Sequence, residues 1–343
     1  MIFEQIACGG CQSYLLGCDE TRAAILIDPN LTQMDRYLGL SAKEGLRIRY
    51  VLDTHTHADH FSAAKELGKS LGVPVVASKL SPAPYASFRL DDGELLRVGA
   101  MRLRALHTPG HTRDSLCVLV EDRIFTGDTL LIGATGRTDL PTGDPDALYD
   151  SLFNIVLKQD PDLKVYPAHD YKGRSHSTIA QEIETNPRLK KRDRDEFIVM
   201  MNQLNLDAPA HLTEALRTNM SGGKTVAQML GEASAQVSFI SMLDLAERVR
   251  RNDQDLLLLD VREREAFASG HIPGAQNLPR GQLELRVNKE LPDPTRRILV
   301  YCEFGQISTL AAATLRELGY SNAVALDGGM KAWRESGLPF TRM

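Results

Sequence analysis

The sequence predicts two α/β domains in series. The first is a sandwich of two β-sheets with helices outside; the second is a smaller domain on a parallel sheet. Three observations lead there. At 343 residues the chain is long for one core. From residue 1 to about 180, short β-rich apolar runs alternate with turns, among them AAILID, RIRYVLD, VPVVAS, LRVGAMRLRAL, SLCVLVEDRIFTG and LKVYPA. From about 237, strand-like and helix-like runs alternate one for one.

Taken in order, the first region holds one clear helix, SAAKELGKSLG, with Gly72 as its stop. Residues 180–235 are more polar and helix-like, and KKRDRDE (190–196) reads as a solvated helix face. SGGKT (221–225) and GEASAQ (231–236) read as linker, which puts the domains at 1–235 and 236–343. Beyond it, SMLDLAERVRR is a helix opened by Ser241 with Asp244 three residues on. LLLLD (256–260) is the continuous apolar run of a strand buried on both faces. RRILVYC, the helix STLAAATLRELG, the strand AVALDGG and the helix MKAWRESG complete the domain.

Composition removes several function classes. Net charge is −5 with both signs interspersed, which argues against a nucleic-acid partner. Apolar runs fall short of the roughly 20 residues of a membrane span. MIFEQIACGG lacks the basic and apolar regions of a secretion signal. Five cysteines (Cys8, Cys11, Cys18, Cys117, Cys302) in such a chain read as reduced thiols of a cytoplasmic protein. Cys8-Gly-Gly-Cys11 has no second pair and no redox-type strand-to-helix turn around it, so Cys11 is given no role.

Four stretches set ligand-type side chains directly after a strand run: THTHADH (54–60), HTPGHT (107–112), TGDT (126–129) and PAHD (167–170). Strand ends in one sheet share an edge, so these side chains can converge there on a metal. Gly110 and Gly127 let the backbone turn sharply beside His111 and Asp128. The remaining histidines, His107, His176 and His211, read as surface or local hydrogen-bonding residues.

This constellation resembles the metallo-β-lactamase fold, an αββα sandwich. In its hydrolases, His55, His57 and His111 would hold one zinc. Asp59, His60 and His169 would hold a second, with Asp128 bridging. That ligand set leaves open a glyoxalase-II-like thioester hydrolase. A closer resemblance lies in YLLGCDETRAAILIDP, DTHTHADHFSA, TPGHT, FTGDTLLIGATGRTDLPTGD, VYPAHDYKG, NPRL and NLDAP, which are similar to the persulfide (sulfur) dioxygenase family over about 1–220. It implies one Fe(II) per chain held by His55, His111 and Asp128, with His57, Asp59, His60 and His169 orienting them and water. It also implies glutathione persulfide and O2 as substrates, and Arg137 and Tyr171 near the substrate. A homodimer is expected by analogy with similar enzymes. Lys172 and Arg174 are weaker candidates for the same region.

In the second domain LLLLDVREREAFASGHIPGAQNLP (256–279) and LDGGMKAWRESGLP (326–339) resemble the flanking motifs of a rhodanese domain, over about 237–340. Cys302 then matches the sulfur-carrying cysteine, and Glu303, Phe304, Gly305, Gln306, Ile307 and Ser308 form its loop. Backbone N–H groups there would favour a thiolate or persulfide anion. Asp260, Arg262 and His271 read as structural. The family's usual C-R-x-G-x-R pattern is broken by Glu303 and Ile307. The loss puts thiosulfate transfer in doubt, and Glu303 at the rim would act against small dianions. The combined expectation is a bifunctional enzyme. It would oxidise glutathione persulfide to sulfite and glutathione, and move sulfane sulfur between a donor and glutathione through a Cys302 persulfide, with thiosulfate or sulfite as further partners.

Overall fold

The apolar runs of the first region pair into two six-stranded sheets. The computed structural model describes residues 1–190, 193–209, 211–253 and 255–343, and divides the chain into Met1–Gly223 and Lys224–Met343. In the first unit one sheet takes strands β1 (Ile2–Cys8), β2 (Cys11–Gly17), β3 (Ala23–Ile27), β4 (Arg47–Leu52), β5 (Val75–Ser78) and β6 (Phe88–Leu90), in that order. The other takes β7 (Leu95–Val98), β8 (Met101–His107), β9 (Leu116–Val120) and β10 (Arg123–Gly127). After the short ribbon β11 (Leu130–Leu131) and β12 (Ala134–Thr135), it adds β13 (Lys164–Pro167) and β14 (Ser177–Thr178), in the order 14-13-10-9-8-7.

The side-chain period of two sorts each strand between layers. Tyr14 and Leu16 of β2 enter the core between the sheets, with Ile25, Leu52, Leu103, Val118 and Phe125. Leu15 of the same strand points the other way, toward Tyr37 and Leu67 on the outer helices. On the far face Ile124 and Val165 pack under Leu148, Leu152 and Phe197. This is the αββα sandwich that the sequence predicts. The helix after β4 spans Ala64–Leu71 and stops at Gly72, whose φ of 66° is left-handed.

The second unit is a five-stranded sheet in the order β15 (Phe239–Ile240), β19 (Ala323–Leu326), β18 (Arg297–Tyr301), β16 (Leu256–Asp260), β17 (Gln276–Asn277), with every pair parallel. All five residues of β16 are buried, as a strand covered on both faces requires. Ser241 caps the helix Met242–Arg250 by accepting from the Asp244 N–H.

Two sequence expectations change. GEASAQ is the end of a helix, Val226–Gln236, started by a capping box between Thr225 and Gln228. Its Ala233, with Val237, joins the core of the second unit, which therefore begins at Lys224 rather than residue 236. In KKRDRDE, Lys191 and Arg192 lie outside the described residues. Asp193 caps the helix Arg194–Asn202, and Arg194 pairs with Asp146 and Asp150. Among the described residues no helix is long and apolar enough to cross a membrane.

Candidate metal centre and cysteine loop

The ends of β4, β8, β10 and β13 meet at one edge of the sandwich, and backbone hydrogen bonds lace their loops together. The Leu116 N–H donates to the Thr54 carbonyl at 2.8 Å, and the Ala168 N–H to that of Gly127 at 2.8 Å. Gly110 (φ 135°) and Gly127 (φ 50°) are both left-handed. A Cβ on Gly110 would lie 2.3 Å from the Leu148 Cα, and one on Gly127 2.6 Å from the Thr54 hydroxyl. Both loops therefore need glycine.

The ligand-type side chains at this edge fall into three groups, each with its donor atoms within 4.8 Å of one another: His55, His111 and Asp128; Cys11, Asp59, His60 and His169; Asp28, Asp53 and His57. In the first, the His55 and His111 Nε2 atoms stand 4.0 and 3.6 Å from Asp128 Oδ2. The outer nitrogens are engaged elsewhere. His111 Nδ1 lies 2.8 Å from the Arg137 carbonyl, to which it donates, and His55 Nδ1 lies 3.0 Å from the Thr54 hydroxyl. Both Nε2 lone pairs then face the group, the arrangement of imidazoles prepared for a metal. Burial, and then His57, push His55 down to about 3, so it stays neutral. Burial works against the Asp128 charge, but His169, His111 and His55 outweigh it and hold the carboxyl well below the usual range. Two imidazoles beside one buried carboxylate fit a divalent cation.

His57 stands beside this group, its ring centroid 4.2 Å from that of His55 and its Nδ1 buried without a hydrogen-bond partner among the described residues. Its Nε2 lies 3.3 Å from Asp28 Oδ1 and 3.8 Å from Asp53 Oδ1. Asp28 sits at a left-handed φ of 49°, a costly conformation for a residue other than glycine. It accepts from the Thr54 backbone N–H and hydroxyl at 2.7 and 2.8 Å, anchoring the first residue of THTHADH. Burial, and then Asp28, push Asp53 up to about 8. Asn219 locks the same loop from outside. Its amide donates to the His57 and His60 carbonyls at 2.8 Å each and accepts from the Ser62 N–H at 3.1 Å. Asn219→Ala strips three buried partners. It should cost at least about 2 kcal/mol, read as a lower melting temperature and weaker metal retention.

A cleft of about 570 Å³ opens beside the group, lined in part by Asp59, His111, Asp128, His169, Tyr171 and Arg188. Tyr171 is 75% exposed and its ring stacks on His169. Arg137 is already satisfied. Its guanidinium grips Asp139 twice, at 2.6 and 2.7 Å, and donates to the Leu206 and Asp207 carbonyls. Arg188 donates to the Thr135 carbonyl and hydroxyl at 2.6 and 3.1 Å. Burial lowers its pKa, and among the described residues no neighbouring charge acts on it. Of the two arginines that line this cleft among the described residues, it is the one still available to a carboxylate.

In the second unit Cys302 directly follows β18 and is 2% exposed. The Gly305 and Ser308 N–H groups donate to its sulfur at 3.2 and 3.3 Å. Gly305 (φ 91°) starts the helix Gln306–Glu317 behind the loop. Phe304 and Ile307 are 65% and 51% exposed, so the rim is apolar. Glu303 is bound by Arg262 at 3.0 Å and by Arg334. Its charge is therefore met, and it does not stand as the free repelling anion that the sequence suggested. Arg262 also grips buried Asp260, and His271 lies 3.0 Å from the Phe267 carbonyl, both structural contacts.

Family models match residues 6–169 to the metallo-β-lactamase superfamily and residues 242–336 to the rhodanese-like domain. The human mitochondrial persulfide dioxygenase ETHE1 is 39% identical over 225 residues, covering 65% of this chain and 87% of that protein. The chain belongs to the persulfide dioxygenase family. The crystal structure of ETHE1 from Myxococcus xanthus is 42% identical, with a TM-score of 0.64, covering 65% of this chain and 100% of that one. A metallo-β-lactamase from Staphylococcus aureus is 23% identical with a TM-score of 0.61. It covers 95% of this chain and 98% of its own, a likeness of fold alone.

Within the persulfide dioxygenase domain, the residues expected at the metal are thus brought together as His55, His111 and Asp128, with His57, Asp59, His60 and His169 adjacent. Tyr171 reaches the cleft, whereas Arg137 is occupied by Asp139. Lys172 and Arg174 are local: Arg174 pairs with Asp170, which also accepts from the Lys172 N–H. Sequence reasoning missed Arg188, Asn219, Asp28 and Asp53. The only signals were NPRL for Arg188, and the aspartates directly ending AAILID and RIRYVLD. In the rhodanese domain, of the six loop residues expected to cradle sulfur, Gly305 and Ser308 touch it.

Proposed function

We propose that the first domain oxidises glutathione persulfide with dioxygen and water at a single Fe(II), releasing sulfite and glutathione. The second domain carries sulfane sulfur as a persulfide on Cys302. The observation that supports this most is the division of donors at the edge of the sandwich. His55, His111 and Asp128 gather as two imidazoles and one carboxylate, while the His57 Nε2 faces Asp28 and Asp53. A two-zinc hydrolase would have to engage His57 as well, through its other buried nitrogen, Nδ1. The set observed suits non-haem iron with coordination left for substrate and oxygen.

Ferrous iron bound there supplies the electron transfer between persulfide and dioxygen that zinc, with its filled d shell, cannot. The balance is one persulfide, one dioxygen and one water giving one glutathione, one sulfite and two protons. The sulfane sulfur gives up four electrons and dioxygen takes four. The protein's part is positioning. His169 Nδ1 lies 2.7 and 2.9 Å from the two Asp128 oxygens, holding that carboxylate in place. Arg188 would take a glutathione carboxylate by paired hydrogen bonds, and the Tyr171 phenol would donate to the same molecule.

In the second domain the Gly305 and Ser308 N–H groups favour an anionic sulfur on Cys302. With Glu303 paired and Ile307 apolar, no basic side chain of that loop is left to draw in a dianion. Glutathione persulfide is thus the favoured donor over thiosulfate, with glutathione or sulfite as acceptor. All five cysteines are free, which suits a reducing, cytoplasmic compartment.

Two experiments test this reading. Oxygen uptake should track iron content at about one iron per chain, and zinc-only protein should be inert. Activity that tracks two zinc ions per chain would overturn it. Arg188→Ala should raise KM for glutathione persulfide about tenfold or more, since a charge-assisted hydrogen bond contributes about 1.5–3 kcal/mol, with kcat little changed. Arg137→Ala should act less on KM and more on stability.

A further inference from the structure

The hairpin that opens the first sheet carries a pair of thiols that the reaction does not use. β1 ends at Cys8 and β2 begins at Cys11, and the two residues are direct cross-strand partners. Gly9 and Gly10 between them are both left-handed, at φ 58° and 96°, as a tight two-residue hairpin turn requires. Opposed residues of an antiparallel pair share a face, with Cα atoms roughly 4.5–5.5 Å apart. A disulfide spans about 4.4–6.8 Å between Cα atoms, so this pair can close without parting the strands. Cys8 is half-buried, with its sulfur 3.7 Å from the Thr32 hydroxyl. Cys11 is 8% exposed, with its sulfur 3.9 Å from Asp59 Oδ2. The turn is also bound to the residues of the cleft. Tyr171 packs on Gly10, where an added Cβ would lie 2.6 Å from the ring, and the Asp170 N–H donates to the Gly10 carbonyl at 2.9 Å. Asp59 Oδ2 in turn lies 2.7 Å from His169 Nε2, while His169 Nδ1 holds Asp128.

We propose that Cys8 and Cys11 form a redox-active dithiol that sulfane sulfur converts to a disulfide, and that the disulfide slows the neighbouring centre. The oxidant is the glutathione persulfide of the proposed function, and the proposal rests on that reading. Cys8 is the more accessible thiol. Its thiolate attacks the terminal sulfur of the persulfide, forming an S–S bond to Cys8 as glutathione leaves as its thiolate. The Cys11 thiolate then attacks the Cys8 sulfur; the Cys8–Cys11 bond forms and hydrosulfide leaves. The two thiols lose two electrons, and the sulfane sulfur takes both to become sulfide. Their protons pass through solvent to the two leaving groups. Two glutathione molecules reverse the bridge and leave as glutathione disulfide. Closing the bridge draws the Cys11 sulfur toward Cys8 and away from Asp59, so the change reaches Asp59 and, through His169, Asp128. The centre then responds to the ratio of persulfide to glutathione.

The test uses full-length, iron-loaded Cys302→Ser protein, so that the rhodanese thiol does not react, with glutathione persulfide added in the absence of air. We expect each chain to lose the mass of two hydrogens and release one sulfide, with peptide mapping that links Cys8 to Cys11. Adding Cys18→Ser should change nothing. Adding Cys8→Ser should abolish the bridge, and adding Cys11→Ser should leave one extra sulfur on Cys8. The bridged protein, desalted and returned to air, should show an initial oxygen uptake about tenfold lower, the smaller end of what loss of an outer partner of a metal ligand costs. Dithiothreitol, removed before the assay, should restore it, and Cys8→Ser protein should keep its rate throughout. No bridge, a bridge that needs Cys18, or bridged protein with undiminished uptake would each overturn the proposal. The bridge in the parent protein is read without a variant at Cys11, so a folding defect in Cys11→Ser cannot hide the answer. Reduced protein that takes up no oxygen would overturn the dioxygenase reading instead, because the bridge is measured before air is admitted.

Discussion

His111→Ala should lose iron and cut oxygen uptake with glutathione persulfide by at least about a thousandfold, roughly 4 kcal/mol in the barrier. The size follows from where the side chain stands. His111 Nε2 is 3.6 Å from Asp128 Oδ2, and its Nδ1 is committed to the Arg137 carbonyl. On the proposed one-iron centre, removing the ring would take away one of three ligands and leave that carbonyl, at the cleft wall, without its donor. His57→Ala is the informative partner. His57 belongs with Asp28 and Asp53, so its loss should lower stability and retain more activity than His111→Ala. A two-zinc centre demands the opposite, because His57 would then be a ligand equal to His111. Inductively coupled plasma analysis of both variants, with oxygen-electrode rates on the same samples, separates the two cases.

Cys302→Ser should abolish sulfur transfer by the rhodanese domain and leave oxygen uptake with preformed glutathione persulfide within about twofold. The Gly305 and Ser308 N–H groups would remain, now facing a hydroxyl that cannot carry sulfane sulfur at neutral pH. Cyanide-dependent release of thiocyanate reads the transfer, and the electrode reads the oxidation. Loss of both activities together would mean that sulfur must pass through Cys302 before oxidation, and would contradict two separable sites.

Much of this was legible in the sequence because strand ends share an edge. His55, His111, Asp128 and His169 each follow a strand-like run, so their convergence needs only the two sheets to form and stack with these ends together. Cys302 is legible for the same reason: it closes RRILVYC just before a helix. What sequence could not assign depends on side-chain direction or on contacts between distant loops. HxHxDH does not reveal that His57 turns toward Asp28 and Asp53, because both aspartates look like ordinary strand ends. Arg137 and Arg188 lie in equally polar stretches. Only the Asp139 partner removes the first from the cleft's free charges. Cys11 looked idle until the Gly10–Asp170 and Gln12–Ala168 hydrogen bonds set it beside His169. The GEASAQ helix was hidden by its glycine and serine, although Thr225 and Gln228 carried the spacing of a capping box.

The measurement closest to the central claim is simultaneous oxygen consumption and sulfite release by the iron-loaded protein given glutathione persulfide. Equimolar dioxygen consumed and sulfite formed, in proportion to iron and absent from zinc-only protein, is the predicted result. An iron-replete preparation that takes up no oxygen from this substrate, while a zinc-loaded one hydrolyses glutathione thioesters, would contradict it.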